Sequence, residues 1–436
     1  MDRGLERPFP MAMPHCCSFL LLFAMVCDGS GFALPSSMDG GGSGAVASAP
    51  LSVVSVVSYG ARGDGSTDDT AAIEAAITAC VVTAPPHNGC VLYFPAGVYI
   101  TTGIALQSFI HVKGDGWGTS VLQLKAHTAA DVLTIPPSAF NFSINGLTLD
   151  GNASRGGRGH CLSVAPTPAS PAEFNTANKQ TATVNAQKWG HIEEVMFSHC
   201  SRDGIHISRF NYMLFLDNFY TLENGEYGVY SEGDNSGFTS FQIERNGVAG
   251  IRIDGANNRL TSGEVIWNGA SNPRLAAVYV TGQRNLITAV ETEDNYTSGF
   301  FDSGSDNEFI GCDSDSNGYI PRHPEASSLH ASGFVIGGKG GVYLGDKVTS
   351  YRGRLPDGNF TTQWPYTLAT ESASRIDITY DNTNQPPAIV AEDSAAAMRG
   401  EEKTAGHAAC IKSAGPPVVM GFCSTAVGPD GECACN

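Results

Sequence analysis

Three Asn-Gly dipeptides, Asn224-Gly225, Asn246-Gly247 and Asn268-Gly269, recur at intervals of 22 residues. A short alternating run follows each: Gly228-Val-Tyr-Ser-Glu232, Gly250-Ile-Arg-Ile-Asp254 and Ala277-Val-Tyr-Val-Thr281. The pattern extends back to Gly204-Ile-His-Ile-Ser208 and Gly159-His-Cys-Leu-Ser163, and forward to Gly299-Phe-Phe-Asp-Ser303 and Gly333-Phe-Val-Ile-Gly337. A fixed period of this length signals a solenoid, whose units stack because none can bury its apolar face alone. Each unit holds several short strands and no helix-length stretch, so it reads as one coil of a parallel β-helix. The alternative is a β-sandwich with regular turns, which in-phase strands across several repeats disfavour. Asn-Gly reads as the tight left-handed turn between strands of a coil. Composition agrees, since 51 of 436 residues are Gly and only 16% are charged, which suits a turn-rich β architecture better than a helical one.

The charge excludes some partners. Lys+Arg is 25 against Asp+Glu 43, a net −18, which argues against a nucleic-acid-binding face and against docking on anionic lipid. Arg3 and Arg7 precede the apolar run Ser18–Cys27, which has the length of a signal-peptide core and is too short to span a bilayer as a helix. The alternative for that run is a buried helix. The expected organisation is a signal peptide over 1–33, a Gly/Ser-rich linker over 34–51, a β-helix over 52–385, and a flexible segment with a Cys-bearing tail over 386–436. No later segment reaches spanning length, so a secreted protein without a membrane span is expected. Four sequons begin at Asn141, Asn152, Asn295 and Asn359. Nine Cys lie beyond residue 33, an odd number that leaves one unpaired in an oxidising compartment. Cys80 and Cys90 are the expected first pair. Cys410, Cys423, Cys433 and Cys435 could staple the tail, or hold zinc with His407, although their spacing matches no familiar zinc pattern.

Asp68-Asp-Thr-Ala-Ala-Ile73 opens an amphipathic helix with apolar positions at Ile73, Ala76, Ile77, Cys80 and Val81, capped by Ser66, Thr67 or Asp68. Such a helix can cover the open end of a solenoid. Val91–Tyr99 then reads as the first strands. The stretch Tyr59-Gly-Ala-Arg-Gly-Asp-Gly-Ser-Thr-Asp-Asp-Thr-Ala-Ala-Ile73, followed by Val91–Tyr99 and by Gly146-Leu-Thr-Leu-Asp-Gly-Asn152, resembles the start of the rhamnogalacturonase/epimerase-like pectate lyase family. The resemblance covers roughly residues 52–385. It implies the pectin-lyase fold: all-β, a single-stranded right-handed parallel β-helix with an N-terminal capping helix. The motif belongs to the cap, so Asp64, Asp68 and Asp69 are read as turn and cap residues.

Strand alternation places the Ile residues of Gly-Ile-His-Ile-Ser inward and the intervening residues outward. Aligned rungs give one outward column of Cys161, His206, Tyr230, Arg252, Tyr279 and Phe301. A second runs through Ser163, Ser208, Glu232, Asp254, Thr281 and Ser303. With rungs about 4.8 Å apart, His206, Tyr230, Arg252, Glu232 and Asp254 form one exposed patch and are the candidate catalytic residues. Asp203, Arg209 and Tyr279 flank them as candidate substrate-binding residues. The rival reading is a decorated surface with cross-strand aromatic stacking. The long connections 165–188 and 319–332 could wall a groove. His160 and His199 read as structural hydrogen bonders, and Trp267 as packed into a turn.

Three chemistries fit the patch, each with a polysaccharide as partner. A lyase or C5-epimerase removes the proton beside a uronate carboxylate, with Arg252 neutralising the carboxylate and Tyr230 and His206 exchanging protons. A glycoside hydrolase would use the carboxyl pair Glu232 and Asp254, but the Asn-Thr-Asp, Asp-Asp, Gly-His-Gly and Arg-Ile-Lys set of polygalacturonases has no clear copy here. Ca²⁺ held by Glu232, Asp254 or Asp234 is the third arrangement. A non-catalytic glycan-binding protein would use the same groove. Bacterial mannuronan C5-epimerases carry Tyr-Gly-Phe-Asp-Pro-His-Glu at a corresponding rung. Asp203-Gly-Ile-His-Ile-Ser-Arg209 stands there in this chain, so that catalytic set does not carry over.

Overall fold

The computed structural model describes residues 52–83, 89–165, 187–272, 275–318 and 332–349, together with the backbone of the strands Trp364–Leu368, Arg375–Asp381, Val390–Ala391, Ala408–Lys412 and Val418–Cys423. The expected signal peptide, linker and sequon at Asn359 lie outside these residues, as do almost all of the connections 165–188 and 319–332.

The chain winds as a right-handed parallel β-helix. One coil runs Ile205–Ile207, then Tyr212–Leu222, and the next begins at Tyr227–Ser231. Short strands such as Ile205–Ile207 stack into an 11-stranded parallel sheet, and the longer ones build an 18-stranded sheet. Among the described residues only the last pairings, Arg375–Asp381 with Val418–Cys423 and Ala408–Lys412 with Val418–Cys423, are antiparallel. Each long strand bends midway at a left-handed residue such as Asn218, Ser240, Ser262 or Ala289, so the large sheet supplies two faces and the short strands the third. The interior is a stack of like residues, for example Phe300, Phe309, Phe334 and Tyr343, with Phe300 and Phe334 parallel at 4.7 Å. The helix Thr70–Thr83 closes the N-terminal end through buried Ile73, Ala76, Ile77 and Cys80.

The cap residues act as expected. The Asp64 carboxylate accepts the Ser66 and Thr67 amides, and these bonds hold its pKa well below the usual carboxylate range. Asp68 accepts from Thr70, and buried Asp69 ties down the Arg62 and Gly63 amides at 2.7 and 3.1 Å. Cys80 and Cys90 form a disulfide. A second joins Cys161 to Cys200, and Cys312 is a buried free thiol.

The 22-residue signal marks a different device from the turn expected. A left-handed residue precedes each Asn: Glu223, Arg245, Trp267, Asp294 and Ser316 have φ between 50° and 58°, and of the three Asn-Gly glycines Gly269 alone is left-handed as well, at 92°. Asn224, Asn246, Asn268, Asn295 and Asn317 are buried and stack as a ladder. The Oδ1 of Asn268 accepts both the backbone amide and the Nδ2 of Asn246 at 2.9 Å, and the Oδ1 of Asn295 accepts those of Asn268 at 2.8 and 3.1 Å. A bend exposes backbone donors to the interior, where leaving them unpaired costs about 1–3 kcal/mol each. The ladder satisfies them. Glycine follows Asn for closeness: a Cβ at Gly225 would lie 2.3 Å from the Ser201 carbonyl oxygen, and at Gly247 equally near that of Gly225. A second ladder, Asn258–Asn285–Asn307, lines another corner. Asn295 and Asn152 are therefore interior residues, which takes two sequons out of reach of a glycan in the folded chain; Asn141 is exposed.

Candidate active site

The short-strand sheet presents the outward column in strict register. Ser163 stands opposite His206, His206 opposite Tyr230, Tyr230 opposite Arg252, Arg252 opposite Tyr279 and Tyr279 opposite Phe301. The column read from sequence holds from His206 to Phe301 but not at its first rung. Cys161 is buried in its disulfide and Ser163 takes its place, because the strand there begins two residues later than the Gly159 alignment implies. Glu232, Asp254 and Thr281 follow directly after their strands.

The patch is a half-buried network. The His206 Nδ1 lies 2.9 Å from the Asp203 Oδ2. Asp203, expected to contact substrate, is 1% exposed and serves instead to hold His206. It also accepts the Tyr227 amide at 3.1 Å and donates its own amide to the His160 Nδ1 at 3.2 Å. Burial alone would raise its pKa, but the imidazoles of His160 and His206 beside it outweigh burial and hold it below the usual value. With Nδ1 on a carboxylate, the His206 Nε2 carries the lone pair. Among the described residues Nε2 meets no hydrogen-bond partner.

On the next rung the Tyr230 ring meets His206 edge-on, with centroids 5.2 Å apart. Its hydroxyl donates to the Asp254 Oδ2 at 3.0 Å. Burial, and then the Asp254 charge, push the phenol pKa far up, so Tyr230 keeps its proton at neutral pH. The Arg252 guanidinium grips Asp254 through Nε at 3.0 Å and Nη2 at 2.8 Å, donates to the Tyr227 hydroxyl at 3.3 Å, and lies over the Tyr230 ring at 4.9 Å. Thr281 donates to the Asp254 Oδ1. Burial opposes the charge on Asp254, but these bonds prevail and its pKa is lowered. Exposed Arg209 donates through Nε to Glu232 at 2.7 Å; among the described residues its terminal nitrogens meet no acceptor. Tyr279 stacks on Phe301, 4.5 Å apart and parallel.

The structure thus joins Asp203, His206, Tyr230, Arg252 and Asp254 in one continuous network, with the Arg209–Glu232 pair beside it. His160, Tyr227 and Thr281 belong to it and were missed. In the true register His160 aligns with Asp203 just as Ser163 aligns with His206, so a two-residue shift at the Cys161 rung concealed it. His160 nevertheless accepts the structural hydrogen bond expected of it. His199 lies apart, between Asp150 and Glu223.

The carboxylates suggested for calcium are committed elsewhere. Asp254 is chelated by a guanidinium, Glu232 is paired with Arg209, and Asp234 accepts the Ala256 amide. Ca²⁺ calls for six to eight oxygens converging on one point. These three carboxylates form a salt-bridge network instead, while His160, Asp203 and His206 bring two imidazole nitrogens and a carboxylate oxygen within 4.8 Å of one another.

The sequence model described as rhamnogalacturonase A/epimerase, pectate lyase-like matches residues 53–254. Mannuronan C5-epimerase AlgE2 of Azotobacter vinelandii is 39% identical over 110 residues, 22% of this chain and 11% of that protein. Alginate lyase 7 of the same organism is 34% identical over 110 residues, 22% of this chain and 12% of that one. These curated relatives are thus matched over about a tenth of their length. Among solved structures, the enzymatically active domain of bacteriophage CBA120 tailspike protein 2 aligns with TM-score 0.58 and 14% identity, over 83% of this chain and 55% of that one. The A-module of mannuronan C-5 epimerase AlgE6 from Azotobacter vinelandii aligns with TM-score 0.52 and 16% identity, over 77% and 97%. The fold is therefore that of the parallel β-helix proteins, and over residues 53–254 the chain carries the sequence pattern of the rhamnogalacturonase A/epimerase, pectate lyase-like family.

Proposed function

We propose that the protein is a secreted polysaccharide-active enzyme that abstracts the C5 proton of uronic-acid residues, as a lyase or a C5-epimerase. The observation that carries the reading is the pairing, on adjacent rungs, of a carboxylate-held imidazole with a phenol that keeps its proton. The His206 Nε2 takes the proton from C5, and Asp203 offsets the charge left on the ring. The carbanion next to the substrate carboxylate needs a cation; Arg209, whose terminal nitrogens meet no acceptor among the described residues, supplies it, backed by Arg252. Tyr230 delivers a proton. Given to the departing O4 it completes elimination; given to C5 from the opposite face it completes epimerisation.

Two observations set hydrolysis behind. A glycosidase keeps one of its two carboxyls protonated, whereas both members of the carboxyl pair here are gripped by guanidinium groups, Glu232 by Arg209 and Asp254 by Arg252. The relatives named as mannuronan C5-epimerases and alginate lyase support the uronate class, so mannuronan is the first polymer to offer, with polygalacturonate second. Ultraviolet absorbance of unsaturated ends reports a lyase. A changed sugar composition by NMR in uncut chains reports an epimerase. New reducing ends without absorbance would overturn the proposal in favour of a hydrolase, and binding without product would leave a glycan-binding protein.

A further inference from the structure

A second polar groove lies on a different face of the solenoid. The candidate site occupies the short strands; the groove lies on the first half of the long strands, in the N-terminal coils. Two outward rows run across it in register. One passes from His111 through Ser143 to His191, the other from Lys113 through Asn145 to Glu193. These six side chains line a concave surface on the outside of the sheet. They are held in place: the His111 Nδ1 lies 2.9 Å from the Ser143 Oγ, Asn145 donates to Glu193 at 3.4 Å, and His191 stacks on Phe215 at 5.3 Å.

The same face further along shows what an idle surface looks like. From Asp217 the second row continues as Thr239, Thr261 and Thr288, a plain threonine ladder. In that row the N-terminal coils carry Lys113, Asn145 and Glu193 instead, while the first row, which runs on through Phe215, Gly237, Arg259 and Leu286, carries His111, Ser143 and His191 there. These groups recognise sugar hydroxyls, and along each row successive rungs lie about 4.8 Å apart, roughly the rise of one hexose in an extended chain. Lys113 is exposed and, among the described residues, has no ion-pair partner. In a chain of net charge −18 it marks a local site for an anion.

We propose that this groove is a second, non-catalytic binding site for a segment of acidic polysaccharide, with Lys113 taking a uronate carboxylate and His191, Asn145 and Glu193 taking hydroxyls. The acidic nature of the ligand rests on the function proposed above; the groove itself does not. The strand Leu162–Val164, which carries Ser163, is followed along the coil, after the connection 165–186, by the strand Gln187–Ser198, which carries His191 and Glu193. One long chain can therefore engage both faces, raising its effective concentration at the catalytic column. A tetramer cannot.

The test uses the full chain and the double variant Lys113→Ala with His191→Ala. Both residues are exposed, and a thermal melt checks that the fold is intact. Binding of long mannuronan and polygalacturonate is measured by calorimetry, and turnover is measured on long chains and on tetramers. Affinity for the long chain should fall at least fivefold, with tetramer turnover unchanged. His206→Ala should show the converse, losing turnover but still binding the long chain. Unchanged long-chain affinity in the double variant would overturn the second site while leaving the catalytic reading intact, and so would equal losses on tetramers and polymers. Failure of the unmodified protein to bind any acidic polymer would overturn both.

Discussion

Two columns of side chains run along the same coils in the same register, and they differ in one respect. The corner column repeats: Asn224, Asn246, Asn268, Asn295 and Asn317 make the same bonds at every rung. The outward column of the short sheet changes from each rung to the next: Ser163, His206, Tyr230, Arg252 and Tyr279. A solenoid imposes one structural demand on every coil, so a residue that answers that demand recurs. A residue that serves a substrate at one point has no reason to recur. In a repeat protein, repetition marks stability, and variety at a registered outward position marks function.

Substitutions can break this contrast, starting with the largest effect. His206→Ala and Tyr230→Phe should each reduce turnover by about 10²–10⁴-fold with the melting temperature little changed. Full activity in both would assign the varied column to decoration. Asn268→Ala should do the reverse to stability. It removes the acceptor for two buried donors of Asn246, a loss of about 2–4 kcal/mol in urea unfolding. Thr261→Ala, outward on the threonine ladder, should stay within about 0.5 kcal/mol. An equal loss in the two would deny the ladder its role.

Arg252→Ala should abolish turnover, because it frees Asp254 and takes the cation from above Tyr230, at a cost of about 1 kcal/mol in stability. Two pH effects follow. Asp203 has a depressed pKa in the folded chain, so the stability it contributes is present above the unfolded value of about 4 and is lost as pH falls through the folded one. Urea midpoints measured from pH 5 to 2.5 should fall along that limb, and His206→Ala should move the limb to higher pH. A second titrating group is Lys188, whose buried ammonium meets, among the described residues, the Pro136 and Pro137 carbonyls, and whose pKa burial lowers to about 8. Between that value and its unfolded one of about 10.4 the unfolded chain binds more protons, so this group adds stability as pH rises. Lys188→Met should flatten that rise, read as the change in urea midpoint between pH 7 and pH 10.

The period made the coils legible, and alternation made the inward and outward faces legible from His206 to Phe301. The meaning of Asn-Gly was not legible. A turn and a buried ladder demand the same residue pair at the same spacing, and only the packing of one coil on the next separates them. Register failed where the strand after Gly159 begins late, and this concealed both Ser163 and His160. Asp203 looked outward because residues just before a strand have no alternation to read. The groove from His111 to Glu193 gave no signal, since its rungs come from the irregular N-terminal coils, where no period aligns them.

The central claim is that the varied column removes a proton from C5. The direct measurement is NMR of mannuronan and polygalacturonate incubated with the protein in deuterium oxide. The account predicts loss of the H5 resonance with the unmodified protein, by elimination or by exchange, and its retention with His206→Ala. Retention of H5 with the unmodified protein while chains are cut to new reducing ends would contradict it.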